Sequence, residues 1–324
     1  MHISVNRSLI TIGPLLLLTI LLQPSSVDRL WATTHTPSYR LTLASSSSEA
    51  QLLKFADQLM REREFFRAIT EYRRFLFIYP TSPHRAFAHF RIGIALYRGQ
   101  HYDRAFAAFR EVVEHYPETL YAKQALLWQG ESLMRQSQYS AAEHVYKEMD
   151  DMLQDAESRQ QARYQLGWAL LYQRQWQQAS AQFQRVTPES HLYPAAQILA
   201  TESLNGHEIP QKSPWTAGIL SGVLPGSGQL YNGRAGDALL AFFLNALFTA
   251  GIIETINQDK LAIAGILSFF EAGWYAGNIY GAVNGAHKHN RHATETFIRN
   301  LENRFRVMPP ESRGPIGIRF SFGF

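Results

Sequence analysis

One spacing organises residues 49 to 186 of this chain. Ala68, Ala105, Ala142 and Ala179 stand 37 residues apart. Three residues before each lies an aromatic (Phe65, Tyr102, Tyr139, Trp176), and four residues after each lies another (Tyr72, Phe109, Tyr146, Phe183). Twelve residues before each is a small residue: Ala56, Gly93, Gly130, Gly167. Four columns in one register define a repeated unit, and a unit of this length with these spacings reads as a helical hairpin. The small residue lets the first helix approach the second. The earlier aromatic fills the turn, and the later one packs between neighbouring hairpins. Tyr79-Pro80 and Tyr116-Pro117 end the second helix of their units, because proline cannot continue it. The third and fourth units carry Gln154 and His191 where that proline would fall. A helix near Tyr193–Leu204 is expected to cap the stack.

The form Gly…Tyr-x-x-Ala-x-x-x-Phe…Tyr-Pro, seen at Gly93, Tyr102, Ala105, Phe109, Tyr116 and Pro117, resembles the tetratricopeptide repeat. The likeness is to the longer-period type of bacterial periplasmic and outer-membrane-assembly proteins. It implies an all-α superhelix of about four 37-residue hairpins plus a capping helix over residues 49–205, with the first helices lining a concave face. In such a stack the groove phases would expose Phe87, Phe90, Ile94 and Tyr97, then Leu127, Glu131 and Met134, then Tyr164, Trp168 and Tyr172. One phase is basic in three units, at Arg61, Arg98 and Arg135, and becomes Tyr172 in the fourth. The expectation is a peptide-binding groove with an aromatic floor and an arginine ladder for carboxylates. The alternative is that the aromatics pack hairpin on hairpin and the arginines are a solvated face.

After Pro210 the composition shifts. Trp215–Tyr231 and Ala238–Ile253 carry no charge, and Leu261–Ala286 carries one, Glu271. Residues 213–286 are therefore expected to form a helical transmembrane domain. Gly218, Gly222 and Gly226 are spaced by four, as are Gly273, Gly277, Gly281 and Gly285, which predicts helix packing in a bilayer along smooth stripes. The string Leu224-Pro225-Gly226-Ser227-Gly228-Gln229-Leu230-Tyr231-Asn232-Gly233-Arg234-Ala235-Gly236 resembles the glycine-rich turn of small bacterial membrane modules related to the TM2 domain. That resemblance implies a helical membrane hairpin and no settled activity. Exported repeats and three crossings would put Arg234, Lys288, Arg291, Arg299, Arg304 and Arg306 in the cytoplasm, as the positive-inside rule favours. If Trp215–Tyr231 only re-enters, the basic tail would lie outside. Within 287–324, Phe297, Ile298, Leu301 and Phe305 share a face, which suggests an amphipathic helix on the membrane surface.

The N-terminus supplies the case for export. Arg7 precedes an apolar run from Leu9 to Leu22, shorter than the roughly twenty residues a spanning helix needs. Residues 1–32 read as a signal peptide, or as an uncleaved anchor, and residues 33–48 as a flexible linker.

Other chemistries are poorly supplied. A net charge of +4 with no strongly basic segment argues against nucleic acid. The absence of cysteine excludes disulfides and thiolate metal sites. His287, His289 and His292 do not share a helical face, so no metal or cofactor is expected. No catalytic constellation stands out, and the chain is not expected to be an enzyme. The closing Gly317–Phe324 alternates like the terminal strand of an outer-membrane barrel, but no further strands accompany it. Glu271, with Asn245, Asn278 and Asn284 as candidate partners, is the one intramembrane polar site. Two functions follow. The leading one is a scaffold in the bacterial inner membrane, with its repeats on the periplasmic side. It would bind an envelope protein or peptide, contact membrane lipids, and form a homo-oligomer through its glycines. The other is a transport or insertion component centred on Glu271.

Overall fold

The structure, a computed structural model, describes residues 39–311, with side chains from Ser48 onward. The chain divides into two compact units, Met1–Ser46 and Ser47–Phe324. Of the first, the described part is the start of helix α1 (Tyr39–Arg61). Part of the expected linker is therefore helical: after Pro37 no proline or glycine interrupts the chain before Arg61. The signal segment and Gly317–Phe324 lie outside the described residues.

The repeats form four antiparallel hairpins. They are α1 with α2 (Phe65–Ile78), α3 (Arg85–Arg98) with α4 (Tyr102–His115), α5 (Leu120–Arg135) with α6 (Tyr139–Met152), and α7 (Ala156–Tyr172) with α8 (Trp176–Gln184). Helix α9 (Tyr193–Leu204) follows, as expected. The 37-residue period reappears in the contacts. A Cβ on Gly93 would lie 2.5 Å from the ring of Phe109, one on Gly130 2.3 Å from Tyr146, and one on Gly167 2.6 Å from Phe183. The small residue of the first helix is thus the seat of the later aromatic of the second.

The period also appears in the backbone. Arg63, Gln100, Ser137 and Arg174 all have φ near +60°. The N–H after each reaches back to a leucine carbonyl at 2.9 Å: Glu64 to Leu59, His101 to Leu96, Gln138 to Leu133, Gln175 to Leu170. This is the Schellman end of a helix, made here four times without glycine.

Beyond the repeats come α10 (Pro214–Val223), α11 (Ser227–Tyr231), α12 (Ala235–Asn257) and α13 (Leu261–Phe305). Gly218 packs on Val283 and Gly222 on Ile279, so α10 runs antiparallel to α13. Gly226, at φ +91°, then turns the chain back. The expectation of three spanning segments is corrected here. The ten residues of α10 cover about 15 Å, half the hydrocarbon thickness, and α11 is shorter still. Among the described residues one helix, α12, is long and apolar enough to cross a membrane. Gly226 accordingly belongs to a turn and not to a stripe on a continuous helix.

Helix α13 is 45 residues long, about 67 Å. Its start pairs with α12, where Gly251 meets Leu267. Its end joins the repeats: Ile298 and Leu301 are buried in the core that contains Trp168, Trp176 and Phe183, with Phe297 and Phe305 packed against it. The Phe297 ring meets Trp176 edge-on at 5.9 Å. The apolar face expected on a membrane surface is thus spent on protein. An amphipathic stripe shows that a helix buries one side, but not against what.

The chain entering α10 is also tied to α13. The Lys212 N–H donates to Asn290 Oδ1 at 2.7 Å, and Asn290 Nδ2 donates to the Lys212 carbonyl at 2.8 Å.

Candidate functional site: the repeat groove and the segment lying in it

Four helices supply the groove. Helix α3 contributes Arg91, Tyr97 and Arg98; α5 contributes Trp128, Glu131 and Arg135; α7 contributes Tyr164, Gln165 and Trp168; and α1 contributes Asp57 behind them. Across these residues runs the chain that leaves α13, Arg306–Glu311.

Its first residue is an anchor. The Arg306 guanidinium pairs with the Glu131 carboxylate, and both side chains are almost fully buried. It also stands over the Trp168 ring, 5.4 Å from the centroid. Burial works against its charge, but Glu131, Tyr146 and Tyr172 outweigh burial, and its pKa ends above the ordinary guanidinium value.

The backbone on either side of it is held through its carbonyls. The Tyr164 hydroxyl donates to the Phe305 carbonyl. Gln165 Nε2 donates to that of Val307 at 2.8 Å, and Trp128 Nε1 to that of Pro310 at 3.0 Å. Leu127, Gln161, Gln165, Val307, Met308 and Pro310 enclose a small cavity of about 160 Å³ between groove and segment.

The last residue is a carboxylate between two arginines. Glu311 pairs with Arg91, and with Arg98 Nη2 at 2.5 Å. Arg91 is buried and otherwise held by Asp57 Oδ1 at 2.9 Å and by the Tyr72 hydroxyl at 3.1 Å. Burial opposes the Arg91 charge; Tyr72, Asp57 and Glu311 restore it and lift its pKa above the usual value. Beside it, burial and then the Glu131 carboxylate push the Tyr97 phenol up. Tyr97 donates to Glu131 Oε1 at 3.0 Å and accepts from Arg135 Nε at 2.9 Å.

The residues expected to line the groove divide into three groups. Tyr97, Arg98, Arg135, Tyr164 and Trp168 are brought together around the segment, and Arg135 reaches Met308 Sδ at 3.8 Å. Tyr172 stands beside this group, stacked on Tyr139 at 4.8 Å, with Glu302 and Arg306 acting on its phenol. Phe87, Phe90 and Ile94 are corrected: all three are fully buried in the core between hairpins, where Phe90 meets Phe109 and Phe87 meets Tyr121. Arg61 is also corrected: it is exposed and spends its guanidinium on Gln58 of its own helix. The carboxylate site uses Arg91 in its place. Sequence phase missed Arg91, Trp128 and Gln165. The available signal was Arg91 itself, an arginine flanked by Phe90 and Ile92 in the most apolar stretch of α3.

In the α10–α13 region the two glycine series behave differently. Gly218 and Gly222 face α13, and Gly285 receives Asn232, whose amide nitrogen would lie 2.8 Å from a Cβ there. Gly281 approaches Gln229, while nothing lies within 4 Å in front of Gly273 or Gly277. These two open onto a cleft of about 750 Å³ that Phe269, Trp274, Leu240 and Arg234 also line. The asparagines near Glu271 have other partners. Asn278 accepts from Gln229 at 2.5 Å, and Asn245 donates to the Ala241 carbonyl of its own helix. Tyr275 donates to the Gly222 carbonyl, and Glu271 Oε2 has no hydrogen-bond partner. The expected polar path is not assembled.

Family profiles agree with the repeat architecture. A tetratricopeptide-repeat profile matches residues 53–119 and 90–157, and another matches residues 161–187. Among solved structures, a tetratricopeptide repeat protein from Parabacteroides merdae ATCC 43184 aligns over 79% of this chain and 100% of its own, at 13% identity and a TM-score of 0.41. No curated protein matches the chain.

Proposed function

Starting from a stack of tetratricopeptide repeats, which in general mediate protein–protein interaction, we propose that this chain is a membrane-tethered scaffold of the bacterial cell envelope. The repeats capture a protein partner as an extended peptide. Helix α12 and the apolar start of α13 form the tether, with α10 and α11 as a re-entrant brace. The observation that carries this reading is the groove itself: it already holds an extended segment through backbone carbonyls and one carboxylate, which is the chemistry of peptide capture. Membrane lipids would surround the tether. Gly273 and Gly277, open in front, are the part of the stripe left for a second copy.

The N-terminal apolar run supports an inner-membrane protein with periplasmic repeats. One observation favours the opposite side. Lys212, Lys288 and Arg291 flank the repeat end of the tether, whereas the α12–α13 turn carries Glu254, Asp259 and Lys260. The positive-inside rule applied to these flanks alone would leave the repeats in the cytoplasm. The chain has no cysteine, so single cysteines report the side directly. In intact spheroplasts an impermeant maleimide should label Arg63→Cys and spare Asp259→Cys; the reverse pattern would establish cytoplasmic repeats.

For the partner, a photoreactive residue in place of Gln161 should give an intermolecular adduct of discrete mass that disappears in an Arg98→Glu background. Failure to form any intermolecular adduct in cells would count against the scaffold reading.

A further inference from the structure

We propose that Arg306–Glu311 is a built-in, displaceable occupant of the repeat groove. The partner that replaces its outer half is an extended, proline-containing segment bearing a carboxylate for Arg91 and Arg98. This rests on the groove being a peptide-binding surface, and adds what the surface selects and what keeps it closed.

The groove's polarity carries the partner chemistry. Toward the segment from Val307 to Glu311 it presents donors: Gln165 Nε2, Trp128 Nε1, and the guanidiniums of Arg91 and Arg98. A ligand matched to such a surface offers acceptors. Ordinary backbone offers an N–H for every carbonyl, and each N–H buried here without an acceptor would be penalised. Proline removes that N–H and holds the chain extended, so Pro309 and Pro310 present carbonyls alone. The carboxylate of Glu311 completes an all-acceptor ligand at the electropositive end.

The uneven grip along the segment argues for displacement of part of it. Arg306 and Glu131 form a nearly solvent-free pair, and removing one partner of such a pair strands the other charge. That half stays. The outer half is held differently: Val307 and Met308 are 40% and 37% exposed, and the Arg98 end of the Glu311 site is open to solvent. The fit is also incomplete, since Gln165 Oε1 is buried without a hydrogen-bond partner. A competing segment that keeps the prolines and the carboxylate, and places a single N–H at this one unpaired acceptor, would gain over the chain's own. Glu311 is then the latch and Arg306 the hinge pin.

The test uses the detergent-solubilised full chain and a fluorescent peptide of residues 307–314, read by anisotropy. The unaltered chain should bind this peptide weakly, because its own copy fills the site. Glu311→Ala in the full chain leaves the Arg306 anchor in place and should raise affinity about tenfold, the scale of one charge-assisted contact. A chain ending at Arg306, checked for native helix content, should bind at least as tightly as Glu311→Ala. A peptide carrying Gln in place of its glutamate should lose that gain on both. Equal affinity for the unaltered and Glu311→Ala chains, with clear binding to both, would overturn the displaceable occupant and leave peptide capture standing. No binding to either Glu311→Ala or the shortened chain would overturn both. Loss of binding only in the shortened chain, with the gain kept by Glu311→Ala, would support the latch and show that the outer residues also stabilise the fold.

Discussion

The repeat stack and the α10–α13 region both use glycine to bring helices together, but they fill the space it leaves differently. In the repeats the glycines at the recurring position each receive a buried aromatic ring: Phe109 at Gly93, Tyr146 at Gly130, Phe183 at Gly167. In the other region no described glycine seats a ring: the closest approaches are of backbone or amides, the Ala238 carbonyl at Gly226, the Ala217 carbonyl at Gly228 and Asn232 at Gly285, while Gly218 and Gly222 meet the aliphatic Val283 and Ile279. Ring in socket gains apolar burial, which needs water outside to be favourable. Backbone on backbone with asparagine and glutamine hydrogen bonds needs no such drive, and is what helices use where the surroundings are themselves apolar. The same residue thus marks two kinds of assembly, distinguished by what stands opposite.

The comparison breaks first at its tightest points. Gly130→Ala would drive a methyl into the fully buried Tyr146 ring and should cost about 3 kcal/mol, seen as a lowered thermal midpoint of the repeats. Gly228→Ala, 2.1 Å from a carbonyl that has no rotamer to escape into, should disorder the α10–α11 hairpin. Protease accessibility near Pro225 would report it while the repeats melt normally.

Of similar size is the effect at the join between the regions. Glu131→Ala strands Arg306 inside the groove and should also cost about 3 kcal/mol, with part of the loss recovered by Arg306→Met in the same chain. A double change that gains nothing would mean the pair is not coupled.

A smaller effect follows from pH. Burial first, then Arg85 and His115, lower the His89 pKa to about 4. The unfolded chain takes up that proton near the ordinary value, so between pH 6.5 and 4 it binds more protons than the folded one. Stability from this group is present above that window and falls as pH drops through it, by about 1 kcal/mol after allowance for the ring's partial exposure. His89→Gln should flatten that part of the pH profile. The smallest effect is at Gly273. With nothing within 4 Å, Gly273→Ala should leave the folded monomer unchanged and alter self-association alone, read by crosslinking in membranes.

The repeats were legible because a small residue and the ring it seats recur at a fixed spacing. The helix ends between them were not, since the left-handed position is taken by Arg63, Gln100, Ser137 and Arg174, which carry no glycine signal. The groove was half legible. Arg98, Arg135 and Trp168 follow a concave phase. Helix α3, however, is buried on nearly every side, so periodicity could not separate the core positions Phe87 and Phe90 from the groove. The segment that fills the groove has no periodicity at all. Its fit depends on contacts made over more than a hundred residues of chain, as from Arg306 to Glu131 or Glu311 to Arg91.

The occupied groove is the centre of this account, and the absence of native cysteine makes it directly testable. Gln161→Cys and Met308→Cys, which line one small cavity, should be joined within a single chain by a short bifunctional maleimide in native membranes. The pair Arg61→Cys and Met308→Cys should remain unjoined. Equal yields from the two pairs, or no link between 161 and 308, would contradict an occupied groove.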